Sequence, residues 1–148
     1  MMKVTILAVG KLKEKYMKEA VADYALRLTK YCKFSVTEAP ECATVEKEGD
    51  ELLRLIPSGA YVVALDLKGK MISSTDLAEM ISSRTVQGES HFVFIIGGSD
   101  GLDRRVISRA DASICMSKMT FTHQMARLII SEQIYRAMKI NSGERYHK

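Results

Sequence analysis

The chain has 148 residues, of which 47% are hydrophobic and 27% charged, the balance of a globular protein with one sizeable core. No stretch approaches the roughly 20 consecutive apolar residues of a membrane span, and the N-terminus lacks the pattern of a cleaved leader. Three cysteines without CxxC or histidine spacing favour neither a disulfide framework nor a zinc site. We therefore expect a single, metal-free, cytoplasmic domain over residues 1–148.

Apolar periodicity predicts strands and helices in alternation along the chain. Five strands are expected, at residues 4–9, 34–38, 61–67, 92–96 and 112–116. Five helices are expected, at residues 12–31, 45–56, 75–84 and 103–110 and from the SKMTFT loop to residue 140. A KGK turn at residues 68–70 should follow the third strand, and Ser73 and Asp76 have the spacing of a capping box. The alternation predicts an α/β fold, with a mostly parallel sheet flanked by helices on both faces.

Three loops follow the last three predicted strands, at residues 65–70, 97–101 and 116–121. Ligands of parallel sheets bind outside the carboxyl ends of the strands. If these strands are neighbours, the three loops line one pocket.

The second of these loops lies within FVFIIGGSDGL, residues 92–102, where two glycines directly follow an apolar strand. The lysine and hydroxyl of a GxxxxGK[ST] phosphate loop are missing, and Gly97, Gly98 and Gly101 do not have GxGxxG spacing. A triphosphate cradle is therefore not expected. Two interpretations remain: a ligand that approaches the bare main chain, or a tight turn without a ligand.

The third loop, MSKMTFT, offers Lys118, main-chain donors and apolar surface from Met116, Met119 and Phe121. Together these groups could surround an adenine and a ribose. Two methionines beside an aromatic ring are equally typical of a hydrophobic core, so the loop alone does not identify a cofactor site.

The last helix is predicted to begin after Thr122 as its N-cap. Its apolar surface is wider than one core needs, because Leu128 and Tyr135 lie roughly opposite the stripe that contains Ile130 and Ile134. A second burial surface is required. Either a homodimer interface or further burial inside the fold supplies it.

Charge is distributed unevenly along the chain. Residues 1–33 carry eight basic and three acidic side chains, residues 34–66 two and seven, and residues 101–148 nine and four. If the two basic ends meet, they form a positive surface suited to a polyanion such as RNA; a solvated lysine-rich face is the alternative. The tail NSGERYHK, residues 141–148, taken alone is typical of a frayed terminus.

Several of these segments together carry a resemblance to a known family. VTILAVGKLKEKY, ALDLKGK, FVFIIGGSDGL, SKMTFTHQMARLIISEQIYRAMKI and GERYHK resemble, in this order, the ribosomal RNA large subunit methyltransferase H family of the SPOUT superfamily. The resemblance covers nearly the whole chain. It implies an S-adenosyl-L-methionine-dependent homodimer that methylates N3 of a pseudouridine in 23S ribosomal RNA, with a C-terminal trefoil knot at the cofactor site.

The resemblance also implies site residues. The family's cofactor contacts fall on the predicted pocket, at Leu65, Gly97, Met116, Ser117, Lys118, Met119, Thr120 and Phe121. In the tail, we select His147 as the candidate proton acceptor with Arg145 beside it, since His91 and His123 are the other two histidines. Loss of the proton to solvent, with His147 only contacting RNA, is the alternative, and Tyr146 and Lys148 are expected to contact RNA. A noncatalytic ribosome-binding module of the same fold is the rival hypothesis. A different flavodoxin-like nucleotide enzyme is disfavoured, because both phosphate fingerprints are missing.

Overall fold

The computed structural model describes residues 1–146, in which five strands and five helices alternate. The strands are β1 (Lys3–Val9), β2 (Lys33–Ala39), β3 (Tyr61–Met71), β4 (His91–Ile96) and β5 (Ala112–Cys115). The helices are α1 (Lys15–Leu28), α2 (Val45–Leu55), α3 (Ser74–Val86), α4 (Arg104–Arg109) and α5 (His123–Asn141). Every predicted element is present, and the ends differ from prediction by three residues or fewer except at the end of β3. No helix in this part of the chain combines the length and apolarity needed to cross a bilayer.

The five strands form one parallel sheet in the order β2-β1-β4-β3-β5. Side chains alternate between its two faces, as strand geometry requires. Ile6 and Phe94 pack in the layer that contains α1, α3 and α5, whereas Leu7 and Ile95 pack in the layer that contains α2 and α4. The predicted α/β architecture is confirmed. Because β4, β3 and β5 are adjacent, the condition for a shared pocket is met.

The KGK turn predicted at residues 68–70 is wrong, because β3 continues through these residues. Pairing with β5 shifts within this stretch, so that both Leu65 and Lys70 pair with Ile114. An added Cβ on Gly69 would lie 2.7 Å from the backbone nitrogen of Ile114. The glycine that looked like a turn residue therefore permits close approach of two strands.

Helix α5 packs against α1, α3 and the sheet. Thr122 is its N-cap, as predicted, and accepts a hydrogen bond from the main chain of the first turn. The capping box at Ser73 and Asp76 of α3 is also confirmed. Tyr135 is buried, while Leu128 stays half-exposed in the groove between α1 and α5. Part of the wide apolar surface of α5 is thus covered inside the chain.

Candidate functional site

A cleft opens at the carboxyl edge of the sheet, where β3, β4 and β5 end. Its volume is about 620 Å³, which lies in the range of small-molecule sites. It is lined by residues 65–67, 96–102, 114–117 and 119–123 and by Ala126. All three predicted segments therefore contribute to one cavity, although the first, residues 65–67, belongs to β3 and is not a loop.

Most of the residues expected to bind the cofactor face this cleft. Those that line it are Leu65, Gly97, Met116, Ser117, Met119, Thr120 and Phe121. Lys118 is exposed and does not line it. The loop bends around Ser117, whose carbonyl accepts from the Cys115 thiol at 3.0 Å and whose hydroxyl accepts from the Met119 N–H at 3.0 Å. With its neighbours tied in this way, Lys118 lies on the outside of the bend.

Packing within the glycine turn itself explains why glycine is needed at residues 97 and 101. A Cβ on Gly97 would lie 2.6 Å from the carbonyl oxygen of Gly101. The Gly101 N–H donates to the Gly98 carbonyl at 3.1 Å, and Gly101 has a φ of +83°, which favours glycine. The turn is therefore tight for reasons of its own packing. Because it also lines the cleft, a ligand that approaches its bare main chain remains a prediction.

The cleft combines apolar walls with negative charge. Ile96, Ile114 and Phe121 supply apolar surface, and the acidic residues Asp66 and Asp100 belong to the lining. Among the lining residues, all within the described part of the chain, there is no lysine or arginine. Carboxylates accept hydrogen bonds from hydroxyl and amino groups and attract cations. The cleft therefore suits a ligand with a flat apolar part, polar donors and a positive charge, and it disfavours phosphate.

The described part of the C-terminal tail, residues 141–146, lies away from this cleft on its own chain. The Tyr31 hydroxyl donates to the Glu144 carboxylate at 2.7 Å, and Lys139 pairs with the same side chain at 2.9 Å. Tyr31 directly precedes β2, so this contact lies at the amino edge of the sheet, opposite the cleft. The Tyr146 ring packs edge-on against Tyr135, with centroids 5.0 Å apart.

Electrostatics favour this docked position of the tail. Hydrogen bonds from Lys139 and Tyr31 hold the pKa of the Glu144 carboxyl below its ordinary value. Burial and a hydrogen bond with Tyr24 raise the pKa of the Tyr146 hydroxyl well above its ordinary value. The shifts therefore reinforce the protonation states that both groups already have at neutral pH, an ionised Glu144 and a protonated Tyr146.

The structure does not bring the expected catalytic tail and the cleft together within one chain. Arg145 and Tyr146 are described, and neither lines the cleft. His147 and Lys148 lie outside the described residues. Tyr135 and Ala126, which lines the cleft, are nine positions apart on α5, a rise of roughly 13 Å.

Sequence reasoning missed two sets of residues. The acidic residues Asp66 and Asp100 were not singled out, although both lie in the segments predicted to follow strands, where ligand contacts are expected. In the structure Asp100 follows β4, whereas Asp66 lies within β3. The aromatic contacts that receive Tyr146 were also missed. Tyr146 meets Tyr135 of α5 and Tyr24 of α1, two long-range contacts for which the sequence carries no local signal.

Sequence comparison identifies the family to which this fold and cleft belong. The chain matches the family described as "Predicted SPOUT methyltransferase" over residues 2–147. The chain belongs to the SPOUT methyltransferase family. Three relatives of this SPOUT methyltransferase, which align with it over their full length, are each named Ribosomal RNA large subunit methyltransferase H. The chain is 47% identical to the protein of Clostridium botulinum and 48% identical to those of Alkaliphilus oremlandii and Clostridium acetobutylicum. Each alignment covers 99% of this SPOUT methyltransferase and 100% of the relative.

Proposed function

We propose that this chain is an S-adenosyl-L-methionine-dependent methyltransferase that modifies N3 of a pseudouridine in 23S ribosomal RNA. The observation that carries the proposal is the cleft at the carboxyl edge, in which seven of the eight predicted cofactor contacts come together. Relatives of 47–48% identity over the full chain are named as large-subunit ribosomal RNA methyltransferases, which supports RNA as the substrate.

The residues of the cleft fit the methyl donor. Adenine is a flat ring that suits the apolar surface of Leu65, Ile114 and Phe121. Carboxylates at Asp66 and Asp100 can accept from ribose hydroxyls or an amino group and attract a cationic sulfonium. When bound, S-adenosyl-L-methionine supplies a methyl group on a positively charged sulfur, from which a nucleophile can displace it.

Positioning and proton removal are the tasks left to the protein. Displacement requires the nucleophile, the methyl carbon and the sulfur roughly in line, so fixing the base in the cleft lowers the barrier. N3 of pseudouridine carries a proton that must leave, and we assign its acceptance to His147. Arg145 would stabilise the resulting negative charge, with Tyr146 and Lys148 contacting RNA. These assignments rest on the GERYHK sequence and its resemblance to the family.

We further propose a homodimer in which the tail of one copy serves the cleft of the other. On its own chain the tail is docked at the amino edge, away from the cleft. Among residues 1–146, several large apolar side chains are exposed around the cleft edge. Leu67, Met119 and Phe121 line the cleft, while Met71 pairs with the lining residue Cys115 and Met125 precedes the lining residue Ala126. Such a patch is typical of a surface covered by another protein, and a second copy supplies both the cover and the missing tail.

Two measurements test the methyltransferase activity. Mass mapping of 23S ribosomal RNA from cells with and without this protein should show one methylated pseudouridine that disappears with the gene. Titration calorimetry with S-adenosyl-L-methionine should show binding to the purified protein. RNA binding without heat from the methyl donor, and without a change in the RNA, would instead support the noncatalytic module.

Mixing two inactive variants tests the shared site. One carries Leu65→Trp, which fills the cleft but keeps the tail, and the other ends after Gly143, which keeps the cleft. If tails act across the dimer, a 1:1 mixture that exchanges subunits should regain about a quarter of wild-type activity, because half of the dimers hold one complete site. Activity that stays at background after confirmed subunit exchange would show that each tail serves its own chain.

A further inference from the structure

The loop between β1 and α1, residues 10–14 and here called the rim loop, has no role in the site described so far. Two contacts place it beside the cleft. Val9, just before the loop, lies 3.4 Å from the position of a Cβ on Gly98 in the glycine turn. The Lys13 N–H donates to the side-chain oxygen of Gln124 at 3.2 Å, and Gln124 follows the cleft residue His123.

A buried arginine holds the start of the rim loop. Arg127 of α5 is 1% exposed. It donates to the Gly10 carbonyl at 3.0 Å and to the Glu38 carboxylate at 2.6 Å. Gly10 also donates its N–H to Ala39 at 2.8 Å and has a φ of +87°. Burying a guanidinium carries a large desolvation cost, and the Arg127 Nε has no hydrogen-bond partner within residues 1–146. These two hydrogen bonds fix the main chain at Gly10, where the rim loop begins.

The rim loop presents two positive charges. Lys11 and Lys13 are both exposed. In the described part of the chain, neither ammonium group lies within ion-pair distance of a carboxylate. By contrast, Lys15 on the adjoining helix pairs with Glu19 at 3.8 Å. Lysines on a fixed loop, with no ion pair to break, are suited to phosphate oxygens.

We propose that Lys11 and Lys13 bind backbone phosphates of the RNA strand that delivers its target base to the cleft, and that Arg127 is the positioning residue that holds them there. The inference rests on the proposed function, because it takes RNA as the substrate. The distribution of charge agrees with placing the RNA backbone at the rim loop and the target base in the cleft. Carboxylates at Asp66 and Asp100 repel phosphate from the cleft, so the base enters while the backbone stays at the positive rim.

The test compares two double variants that lose the same charge. K11Q/K13Q removes the rim lysines, and K3Q/K33Q removes two exposed lysines that pair across β1 and β2 at the opposite edge of the sheet. Large ribosomal subunits from cells lacking this protein are supplied both isolated and within assembled ribosomes, and their methylation is measured over a series of salt concentrations. K11Q/K13Q should raise KM for the ribosomal substrate roughly tenfold. It should also reduce the slope of log KM against log salt concentration by about 0.7 to 0.9 for each phosphate contact that is lost. Its kcat and its affinity for S-adenosyl-L-methionine should not change, and K3Q/K33Q should match the wild type.

Arg127→Lys tests the positioning role separately. It keeps the positive charge but lacks the fork that spans Glu38 and Gly10. It should raise KM for the subunits while leaving affinity for the methyl donor intact, and a purely structural defect would weaken both. If Arg127→Lys folds poorly, the comparison of K11Q/K13Q with K3Q/K33Q decides the proposal by itself. Equal KM and equal salt slope for K11Q/K13Q and K3Q/K33Q would overturn the inference and leave the proposed function standing. Failure of the wild type to methylate either form of the substrate would overturn both.

Discussion

The two edges of the sheet differ in how far their side chains are already paired. At the amino edge, Glu144 is bonded to Lys139 and Tyr31, and Tyr146 packs on Tyr135. At the carboxyl edge, Met119 remains 74% exposed beside an open cleft. Apolar surface that remains in contact with water gains free energy when a ligand or protein covers it, whereas groups that already have partners gain little.

This difference indicates a division of labour within the chain. The open edge has the composition of a binding surface, with the cleft, the glycine turn and the rim loop side by side. At the paired edge, Glu144 and Tyr146 anchor the tail that we expect to carry the proton acceptor. The proposed chemistry therefore depends on bringing together two regions that the single chain keeps apart.

Removing the tail should have the largest effect. A chain that ends after Gly143 loses the tail residues expected to act at the reacting base, Arg145, Tyr146, His147 and Lys148, but keeps the whole cleft. We expect methyl transfer to fall by about a hundredfold or more, the usual contribution of a positioned acid or base, with calorimetric affinity for S-adenosyl-L-methionine nearly unchanged. Full activity in the truncated protein would contradict the role of the tail.

Gly97→Ala should damage the open edge alone. The new methyl group would lie 2.6 Å from the Gly101 carbonyl oxygen, so the turn must shift. Overpacking of this kind costs about 1–3 kcal/mol in the free energy of unfolding, and affinity for the methyl donor should fall with it. Gly98→Ala is the matched control, since its nearest neighbour is a side-chain oxygen at 3.3 Å. Denaturant unfolding and calorimetry measure both; equal effects of the two changes would refute this account of the turn.

Glu144→Gln should loosen the paired edge. The pKa of Glu144 is lowered in the folded protein by Lys139 and Tyr31, so its contribution is present above the ordinary glutamate value and is lost as the pH falls through the lower folded value. The variant imitates the protonated state, and we expect faster hydrogen exchange in the tail at neutral pH. Glu19→Gln, which breaks an exposed pair with Lys15, should leave the tail unchanged. Identical rates of hydrogen exchange in the tails of both variants would show that the Lys139–Glu144 ion pair does not hold the tail in place.

Cysteine labelling should show a smaller difference between the edges. Cys32, just before β2, is 1% exposed, and burial raises the pKa of its thiol to about 11. Cys115 lines the cleft. With roughly a hundredfold less thiolate than an ordinary cysteine, Cys32 should stay unmodified by iodoacetamide in the native protein. Cys115 should label slowly and be protected by S-adenosyl-L-methionine, as followed by mass spectrometry with the half-exposed Cys42 as an internal standard. Labelling of Cys115 that is indifferent to the methyl donor would count against the cleft as its site.

Local features of the sequence determined the elements and the place of the site. The period of apolar residues is set by whether a segment is helix or strand, so all ten elements could be predicted. Side chains at Ser73 and Thr122 bond within their own first turn, so both caps could be predicted too. The rule that ligands bind at the carboxyl ends of parallel strands placed the three loops together, once the strands proved to be neighbours.

Only the tertiary structure decided which partner each exposed or unusual residue meets. Gly69 is required by a neighbouring strand rather than by a turn, and Gly97 by a carbonyl four residues away in its own turn. Arg127 reaches the loop after β1, and Tyr146 reaches a helix that begins more than a hundred residues earlier. Periodicity records that a side chain is buried but not what covers it, because that depends on contacts between distant parts of the chain. The physical division is therefore between local backbone preference, which the sequence displays directly, and long-range packing, which it does not.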